Sequence, residues 1–223
     1  KFFGTAQDHK RVGNNDTGPN TGGMGAYSPS PIFNKELENK IIKRIVKPTL
    51  LALKKKKKNY TGFLYVGLMV KNNEPYLIEY NVRMGDPECQ VIIPRLETDI
   101  LKIFKKLTAN RLDKIKIKWK KSKCMTIVLC AKGYPKKYQK DIKIKNLKKI
   151  KERKNLFIFH AGTKLLNGEY FSVGGRVLNF TALGSKFLTI RKNILRIIKN
   201  LNWKKGFYRK DIGWRAIKNN ANY

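Results

Sequence analysis

The most informative stretch of this sequence reads Leu77-Ile78-Glu79-Tyr80-Asn81-Val82-Arg83-Met84-Gly85-Asp86-Pro87-Glu88. If the stretch begins as a β-strand, Glu79, Asn81 and Arg83 project from one face, because side chains alternate along a strand. A carboxylate and an amide oxygen two residues apart can bind one hard cation, and Mg²⁺ prefers such oxygen ligands beside phosphates and water. Arg83 would then lie next to the metal, where a guanidinium can contact phosphate oxygens. Alternating polar residues are also common on surface strands, so the spacing alone leaves both interpretations open.

The sequence around this stretch predicts its local structure. Two apolar runs are joined by Lys71-Asn72-Asn73-Glu74, and an Asn-rich turn between such runs indicates a β-hairpin. Pro87 suits the first turn of a short helix, whose free N–H groups favour an anion near Asp86. Apolar residues at helical spacing predict further helices at 33–53, with an interruption at Pro48, at 98–107 and at 187–201. Other runs predict strands at 1–13, 62–70, 75–80, 125–130 and 156–159, a pair of strands at 170–173 and 177–183, and an edge strand or linker at 114–123.

A second polar stretch, Gln7-Asp8-His9-Lys10-Arg11, places five polar side chains in a row on a predicted strand. The segment that follows is predicted to be a loop over residues 14–31, with Gly at positions 18, 22, 23 and 25. Glycine permits positive φ and close backbone approach, which are required of amides that surround an anionic ligand. A plain flexible loop fits the composition equally well. The loop lacks a Gly-Lys-Ser/Thr ending, which excludes a P-loop NTPase.

Composition indicates a folded chain with an unusual charge. The 223 residues are 41% apolar and 11% aromatic, which excludes a disordered protein and allows one or two domains. Lys and Arg number 50 against 15 Asp and Glu, for a formal net charge of +35. This charge favours nucleic-acid binding. An A/T-rich genome is the favoured explanation, because the chain holds 39 Lys, 20 Asn and 22 Ile, and the lysines are spread along its length.

The cysteines do not form a metal-binding or disulfide pattern. Cys89, Cys124 and Cys130 have no Cys-x-x-Cys spacing, and neither His9 nor His160 lies near them in sequence. An odd number of cysteines without such spacing indicates free thiols in a reducing compartment, so a cytoplasmic location is expected. No apolar run approaches the length of a membrane helix, so no membrane partner is expected.

Several motifs together resemble the glycinamide ribonucleotide synthetases, also called phosphoribosylamine–glycine ligases, of the ATP-grasp superfamily. The resemblance runs in order from about Gln7 to Ile217. Its motifs are Gln-Asp-His-Lys-Arg at 7–11, Asn-Thr-Gly-Gly-Met-Gly-Ala-Tyr-Ser-Pro at 20–29, Arg-Met-Gly-Asp-Pro-Glu-Cys-Gln at 83–90, Pro-Arg-Leu at 94–96, Ala-Lys-Gly-Tyr-Pro at 131–135, Phe-His-Ala-Gly-Thr at 159–163, Gly-Gly-Arg-Val-Leu at 174–178 and Tyr-Arg-Lys-Asp-Ile-Gly-Trp-Arg-Ala at 208–216.

The resemblance implies a fold and an activity. The expected fold class is α/β (α+β): residues 1–123 form the C-terminal part of an ATP-grasp domain, and residues 124–223 form a small, mostly-β C-terminal domain. The expected reaction is the ATP-dependent ligation of glycine to 5-phosphoribosylamine, which gives glycinamide ribonucleotide, ADP and phosphate in purine biosynthesis. ATP, glycine and 5-phosphoribosylamine are the implied partners, with Mg²⁺ or Mn²⁺ as the metal.

The resemblance also implies roles for single residues. Glu79 and Asn81 match the metal ligands, and Arg83 would neutralise charge on the transferring phosphoryl group, with Lys10 as a second catalytic residue. The remaining candidates would bind substrates without an assignment to one ligand: Asp8, Arg11, Asn20, Thr21, Gly22, Gly23, Gly25, Asp86 and Arg176. The predicted strand at 66–70 offers no further carboxylate, so the metal shell is expected to be thin.

The chain departs from the family at its N-terminal side. The family's N-terminal α/β domain, glycine-rich lid and adenine-binding hinge have no counterpart before residue 7, so we expect this chain to be inactive alone and to need the missing N-terminal half. Two other interpretations stay open: a degenerate fragment, although its motif residues are intact, and a basic nucleic-acid-binding module. The second would need basic residues interleaved with stacking aromatics, whereas most aromatics here lie in apolar contexts, so no specific nucleic-acid partner is expected.

Overall fold

A computed structural model of the chain describes residues 1–151 and 153–219. Its β-strands, in chain order, are β1 Gln7–Asp8, β2 Gly25–Ser28, β3 Tyr65–Lys71, β4 Glu74–Asn81, β5 Lys123–Ala131, β6 Ile142–Lys143, β7 Leu156–His160, β8 Thr163–Leu166, β9 Glu169–Ser172, β10 Arg176–Gly184 and β11 Gly206–Phe207. Its α-helices are α1 Lys35–Ile41, α2 Lys47–Lys55, α3 Cys89–Ile92, α4 Ile100–Thr108, α5 Phe187–Leu201 and α6 Trp214–Asn219.

These elements form two compact units, and each unit draws on separate parts of the chain. The first unit comprises Lys1–Phe3, Ser30–Gly85 and Leu96–Trp119. The second comprises Gly4–Pro29, Asp86–Arg95 and the chain from Lys120 onward. Because packing rather than continuity along the chain defines these units, the domain boundary near residue 123 stays a prediction.

The first unit contains the predicted hairpin. β3 and β4 pair antiparallel, and the turn between them places Asn72 and Asn73 at φ of 51° and 58°. Asn tolerates this left-handed region better than most residues, which explains an Asn pair at a tight hairpin turn. α1 packs against β4 and continues through a π-helical segment, Ile42–Val46, into α2. The interruption predicted at Pro48 is thus a π segment that ends just before the proline, and Pro48 occupies the first turn of α2.

The second unit is built on an antiparallel sheet in the order β1-β2-β5-β10-β7, with β11 also paired to β5. β5 is its central strand, and every residue of β5 from Cys124 to Ala131 is buried. Cys124 packs with Ala26 and Val91, whereas Met125 belongs to the larger core that includes α5. Burial on both faces explains why β5 appears in the sequence as a continuous apolar run rather than an alternating one.

Several sequence predictions are confirmed. The hairpin, the short helix after Pro87, the helix at 98–107 and the strands at 125–130 and 156–159 all match observed elements within a few residues. Helix α5 has the predicted bounds, with Ile190, Ile194 and Ile198 buried and Leu195 and Ile197 partly buried.

Other predictions are wrong. The strand predicted at 1–13 is only β1, because Gly4 has φ of 111° and the chain beyond Asp8 turns toward the loop. The loop predicted at 14–31 contains the fully buried strand β2, which pairs with both β1 and β5. Of the two alternatives for residues 114–123, an edge strand or a linker, the edge strand is wrong and the linker is confirmed, with one isolated bridge between Leu96 and Trp119. β9 and β10 do not pair with each other: β9 lies between β6 and β8, and β10 lies between β5 and β7.

We predict that Ile194→Ala destabilises the second unit by about 3 kcal/mol, because it leaves a cavity where the native side chain is fully buried. Leu188→Ala is the matched control on the same helix, since Leu188 is 42% exposed and its loss should cost below about 1 kcal/mol. Urea unfolding followed by circular dichroism measures both. Equal losses for the two variants would contradict the packing of α5 described above.

Candidate functional site

The two predicted metal ligands lie side by side near the end of β4. Asn81 Nδ2 donates a hydrogen bond to Glu79 Oε1 over 3.2 Å, so the amide and the carboxylate meet on one side of the strand. Gly67 pairs with Glu79 across the hairpin, and a Cβ on Gly67 would lie 2.9 Å from Glu79 Cγ. The glycine therefore provides the space that the Glu79 side chain occupies. The ladder shifts register between Gly67 and Leu68, at the position where the ligand pair begins.

This pair fits a divalent cation as a partial site. Both oxygen-bearing side chains are accessible, Glu79 being exposed and Asn81 half-buried. Within residues 1–151 and 153–219, no group of three or more His, Cys, Asp or Glu side chains could hold a metal ion. Mg²⁺ commonly binds proteins through one or two side chains and keeps phosphate and water oxygens as its other ligands. The thin metal shell expected from the sequence stays a prediction.

Arg83 follows the pair in an exposed segment. Its Nη1 donates to the Met84 carbonyl oxygen over 2.9 Å, and the side chain is otherwise open to solvent. The short helix after Pro87 exists, but α3 has only four residues, so it offers no substantial anion site at its N-terminus.

In the second unit, β1 carries a buried carboxylate, Asp8, and the exposed basic residues Lys10 and Arg11 follow it. The Asp8 side chain is 8% exposed and forms an ion pair with Lys10 Nζ over 2.9 Å, while the Lys10 side chain is 48% exposed. The His9 N–H donates to Asp8 Oδ1. The pKa of Asp8 is raised to about 6, mainly by burial and also by the nearby Glu88 charge, while Lys10 opposes the rise. Asp8 therefore titrates near neutral pH.

The glycine loop is bonded to the rest of the chain through its own amides. The Thr21 N–H donates to the Lys10 carbonyl, the Gly22 N–H to Tyr134 Oη, the Gly23 N–H to Thr21 Oγ1 and the Met24 N–H to the His9 carbonyl, all within 3.0 Å. The sequence predicted that these amides surround an anion. In the structure these amides instead form hydrogen bonds within the chain that hold the loop in place. The loop could therefore affect ligand binding through its shape and through the residues next to it.

The other predicted binding residues divide into exposed and buried groups. Asn20 is exposed and forms an isolated bridge with Arg11, whose guanidinium donates to the Gly18 carbonyl over 2.9 Å. Gly25 is buried inside β2, and a Cβ there would lie 2.6 Å from the Thr126 carbonyl oxygen. The close packing of β2 against β5 is therefore enough to explain why residue 25 is glycine.

Arg176 connects the loop to the segment that follows β4 in sequence. Its Nη1 donates to the carbonyls of Gly22 and Asp86, each over 2.8 Å, and its Nη2 forms an ion pair with Asp86 Oδ2 over 3.0 Å. The predicted substrate-binding residues Gly22, Asp86 and Arg176 therefore lie together. The contacts of Arg176 are with the protein itself.

A buried ion cluster supports this region, and the sequence prediction missed it. The Arg209 side chain is 1% exposed; its Nε and Nη2 donate to both oxygens of Asp211, and its Nη1 donates to Asp16 Oδ1 and to the Arg11 carbonyl. Arg215 adds a second ion pair to Asp16 over 2.5 Å. The signal was present in the motif at 208–216, whose charged residues lie within an otherwise buried terminal segment.

His9 is part of the same buried region. Its side chain is 1% exposed, and its Nε2 accepts a hydrogen bond from the Gly213 N–H over 3.1 Å, so the neutral ring carries its proton on Nδ1. Burial, together with the Arg209 charge, lowers the pKa of His9 to about 4. Burial alone would raise the pKa of Asp16, but the hydrogen bond from Arg209 and the Arg215 charge lower it overall. The region therefore contains a neutral histidine beside paired charges.

Two family models match the chain: the phosphoribosylglycinamide synthetase ATP-grasp (A) domain over residues 1–89, and the phosphoribosylglycinamide synthetase C domain over residues 124–215. The chain belongs to the phosphoribosylglycinamide synthetase family. Relatives named phosphoribosylamine–glycine ligase include one from Brucella melitensis, 42% identical over 96% of this chain, and one from Agrobacterium fabrum, 44% identical over 96% of it. The resemblance identified from the motifs is confirmed.

A solved phosphoribosylamine–glycine ligase from Thermotoga maritima matches with a TM-score of 0.77 and 31% identity, and it covers 94% of this chain. This match confirms the predicted fold class, the C-terminal part of an ATP-grasp domain followed by the synthetase C domain. The chain spans about half the length of its relatives, 50% of both bacterial synthetases and 51% of the solved chain. None of the described helices is both long and apolar enough to span a membrane.

We predict that Asp8→Asn raises stability at neutral pH and not in acid. The folded-state pKa of Asp8, about 6, lies above its usual 3.8, so the folded chain binds this proton more tightly. The native chain therefore loses stability as pH rises from about 4 to 6, and the variant does not. Their difference in free energy of unfolding should grow by about 2 kcal/mol between pH 4 and pH 7.5, as measured by urea titration. Asp113→Asn, at an exposed position, is the control, and parallel pH curves for Asp8→Asn and the native chain would contradict the prediction.

Proposed function

We propose that this chain supplies the metal-binding strand and the synthetase C domain for the ATP-dependent ligation of glycine to 5-phosphoribosylamine, in purine biosynthesis. The observation that carries the proposal is the meeting of the Glu79 carboxylate and the Asn81 amide on β4, opposite Gly67. This small oxygen site leaves most coordination positions of the cation to phosphate and water oxygens, as required when the metal binds together with ATP. Membership of the synthetase family supports the choice of substrates.

The reaction has two steps. A carboxylate oxygen of glycine attacks the γ-phosphorus of ATP, the bond to the β-γ bridging oxygen breaks, and an acyl phosphate and ADP result. The amine of 5-phosphoribosylamine then attacks the acyl carbon, inorganic phosphate leaves, and the amine gives up a proton as the amide forms. Both steps require that phosphate charge be stabilised and the reactants held in position.

The residues of this chain would contribute to these steps through charge and position. Glu79 and Asn81 would hold Mg²⁺ or Mn²⁺, which would neutralise phosphate charge when bound. Arg83 is exposed and has one hydrogen bond to its own segment, so its guanidinium remains available for phosphoryl oxygens. Lys10 and Arg11 place two exposed cations beside the buried Asp8, where they would attract anionic substrates.

In the second unit, Asp8, Asp86 and the loop at 20–25 would contact substrates other than ATP. Since the loop amides are already bonded, we assign the loop a steric role and assign the electrostatic role to Lys10 and Arg11. Completion of the reaction would need the half of the relatives that this chain does not match, as a partner or as covalently attached sequence. Cys89, Cys124 and Cys130 form no disulfide bond among the described residues, which supports a reducing, cytoplasmic location.

We predict that the 223-residue chain alone, given ATP, Mg²⁺, glycine and fresh 5-phosphoribosylamine, forms no glycinamide ribonucleotide. ATP would be held only through its metal and phosphates, and an open site loses the positioning and low dielectric on which phosphoryl transfer depends. A fusion to the N-terminal half of the Brucella melitensis relative should restore substrate-dependent ADP release. Turnover by the chain alone, at a rate near that of an intact relative, would contradict the prediction.

In the same fusion, Glu79→Gln or Asn81→Ala should lower kcat at least about 100-fold at saturating ATP, because the transferring phosphoryl group loses its metal-fixed position. Glu97→Gln, an exposed carboxylate in the same unit, is the matched control and should behave like the unaltered fusion. Near-normal turnover of both site variants at limiting Mg²⁺ would exclude the assignment.

We propose no specific nucleic-acid partner. The charge of +35 should give weak binding to DNA or RNA that is independent of sequence and falls steeply with salt, as counterion release requires. Fluorescence anisotropy at 50 and 200 mM salt, with duplexes of two unrelated sequences, measures this. Tight binding at 200 mM salt with preference for one sequence would instead support the nucleic-acid module.

A further inference from the structure

The backbone of Gly22 is hydrogen-bonded by two residues far away in sequence, one at its N–H and one at its carbonyl oxygen. Its N–H donates to the Tyr134 hydroxyl over 2.9 Å, and its carbonyl accepts from Arg176 Nη1 over 2.8 Å. Tyr134 lies 112 residues from Gly22, and Arg176 lies 154 residues from it. The bonded N–H belongs to the Thr21–Gly22 peptide and the bonded C=O to the Gly22–Gly23 peptide, so two successive peptide groups have a fixed orientation in the loop.

Tyr134 and Arg176 are themselves positioned by one segment. The ring of Tyr134 lies against Gly175, where a Cβ would be 2.3 Å from Tyr134 Cδ2. Gly174, next to it, approaches Gly162 closely, since a Cβ on Gly162 would be 2.6 Å from Gly174 Cα. These approaches, possible only for glycine, fix the start of β10, so that the hydroxyl of Tyr134 and the guanidinium of Arg176 reach the two successive peptide groups that flank the Gly22 Cα.

The Gly22–Gly23 peptide, whose carbonyl is bonded to Arg176, determines where Gly23 lies. Gly23 is buried at φ of 116°, and a Cβ on it would be 2.5 Å from Pro87 Cδ and 2.8 Å from Asp8 Oδ1. The backbone of Gly23 therefore covers the Asp8 carboxyl group. The charged groups that act on Asp8 in this arrangement are Lys10, at 2.9 Å, and Glu88.

We propose that Tyr134 and Arg176 are positioning residues that hold the Gly22–Gly23 backbone over the Asp8 carboxyl group. Neither residue forms a hydrogen bond or ion pair with Asp8; each acts through the backbone of Gly22. Loss of either contact should let the loop move away, so that water reaches Asp8. That the covered carboxyl serves a substrate rests on the proposed function, whereas the positioning itself can be measured on this chain.

The test compares Tyr134→Phe with Tyr138→Phe in the 223-residue chain. Tyr138 is the matched control, because its ring also lies near Gly175 and 6.4 Å from the Tyr134 ring, while its hydroxyl is not bonded to the loop. In Tyr134→Phe, exchange of the Gly22 amide, followed by NMR, should be about fivefold faster, as expected for loss of one hydrogen bond. The carboxyl titration of Asp8, followed by ¹³C NMR, should move down from about 6 toward 3.8. Tyr138→Phe should change neither quantity.

Unchanged Gly22 exchange and unchanged Asp8 titration in a folded Tyr134→Phe chain would overturn the proposal. Equal changes in both tyrosine variants would also overturn it, because they would show general loosening. If Tyr134→Phe fails to fold, Arg176→Met decides by the same two measurements, since it removes both guanidinium contacts and keeps the bulk of the side chain. In the fusion enzyme, Tyr134→Phe should also lower kcat/KM severalfold at an unchanged melting temperature. A fusion that shows no turnover counts against the proposed function, and the NMR comparison still decides the positioning.

Discussion

The buried guanidinium of Arg209 is the constraint on which the second unit's candidate site depends. A buried charge is costly unless it is paired and fully hydrogen-bonded, and Arg209 meets this condition with Asp16, Asp211 and the Arg11 carbonyl. Asp16 and Arg209 are separated by 193 residues, so the pairing joins the early polar stretch to the end of the chain. This ion pair holds in place the strand and loop that carry Asp8 and Lys10. His9 can be buried and neutral beside them because Gly213 supplies a hydrogen bond to its ring.

Acidic residues are scarce in this chain, and the structure uses several of them in close contacts. Of 15 Asp and Glu residues against 50 Lys and Arg, Asp8, Asp16, Asp86 and Asp211 each pair with a base in the second unit. Most lysines, by contrast, lie at exposed positions, including the run at 54–58 that ends α2. The net charge therefore describes the solvent-facing surface, and the local pairings determine the electrostatics of the site.

The glycine loop shows how one residue type can serve two physical purposes. Glycine at 22 and 23 was expected to expose amides to an anion, and the same absence of side chains instead permits close approach by Arg176, Pro87 and Asp8. The amides are bonded within the chain, and the loop becomes a fixed cover over a carboxyl group that titrates near neutral pH. This loop would therefore act on a ligand through its position and steric shape rather than through a cluster of unbonded N–H donors.

The sequence by itself determined the local elements of both units, and it predicted the metal ligands of the first unit. The Asn72–Asn73 turn, the period of α5 and the alternation of Glu79 and Asn81 all depend on neighbours a few residues away, so their signals are local. The family could be identified from ordered motifs, since these keep their residue types.

Tertiary structure alone decided the partners of those motifs. Strand β2 was missed because it is buried between β1 and β5, and β5 lies about 100 residues further along the chain. The pairing of β10 with β5 and β7, the Arg209 cluster and the bonding of the Gly22 peptide are long-range as well. A hydrogen bond or ion pair between residues more than 100 positions apart leaves no periodic trace in the chain, because it depends on where the fold brings two segments and not on their spacing.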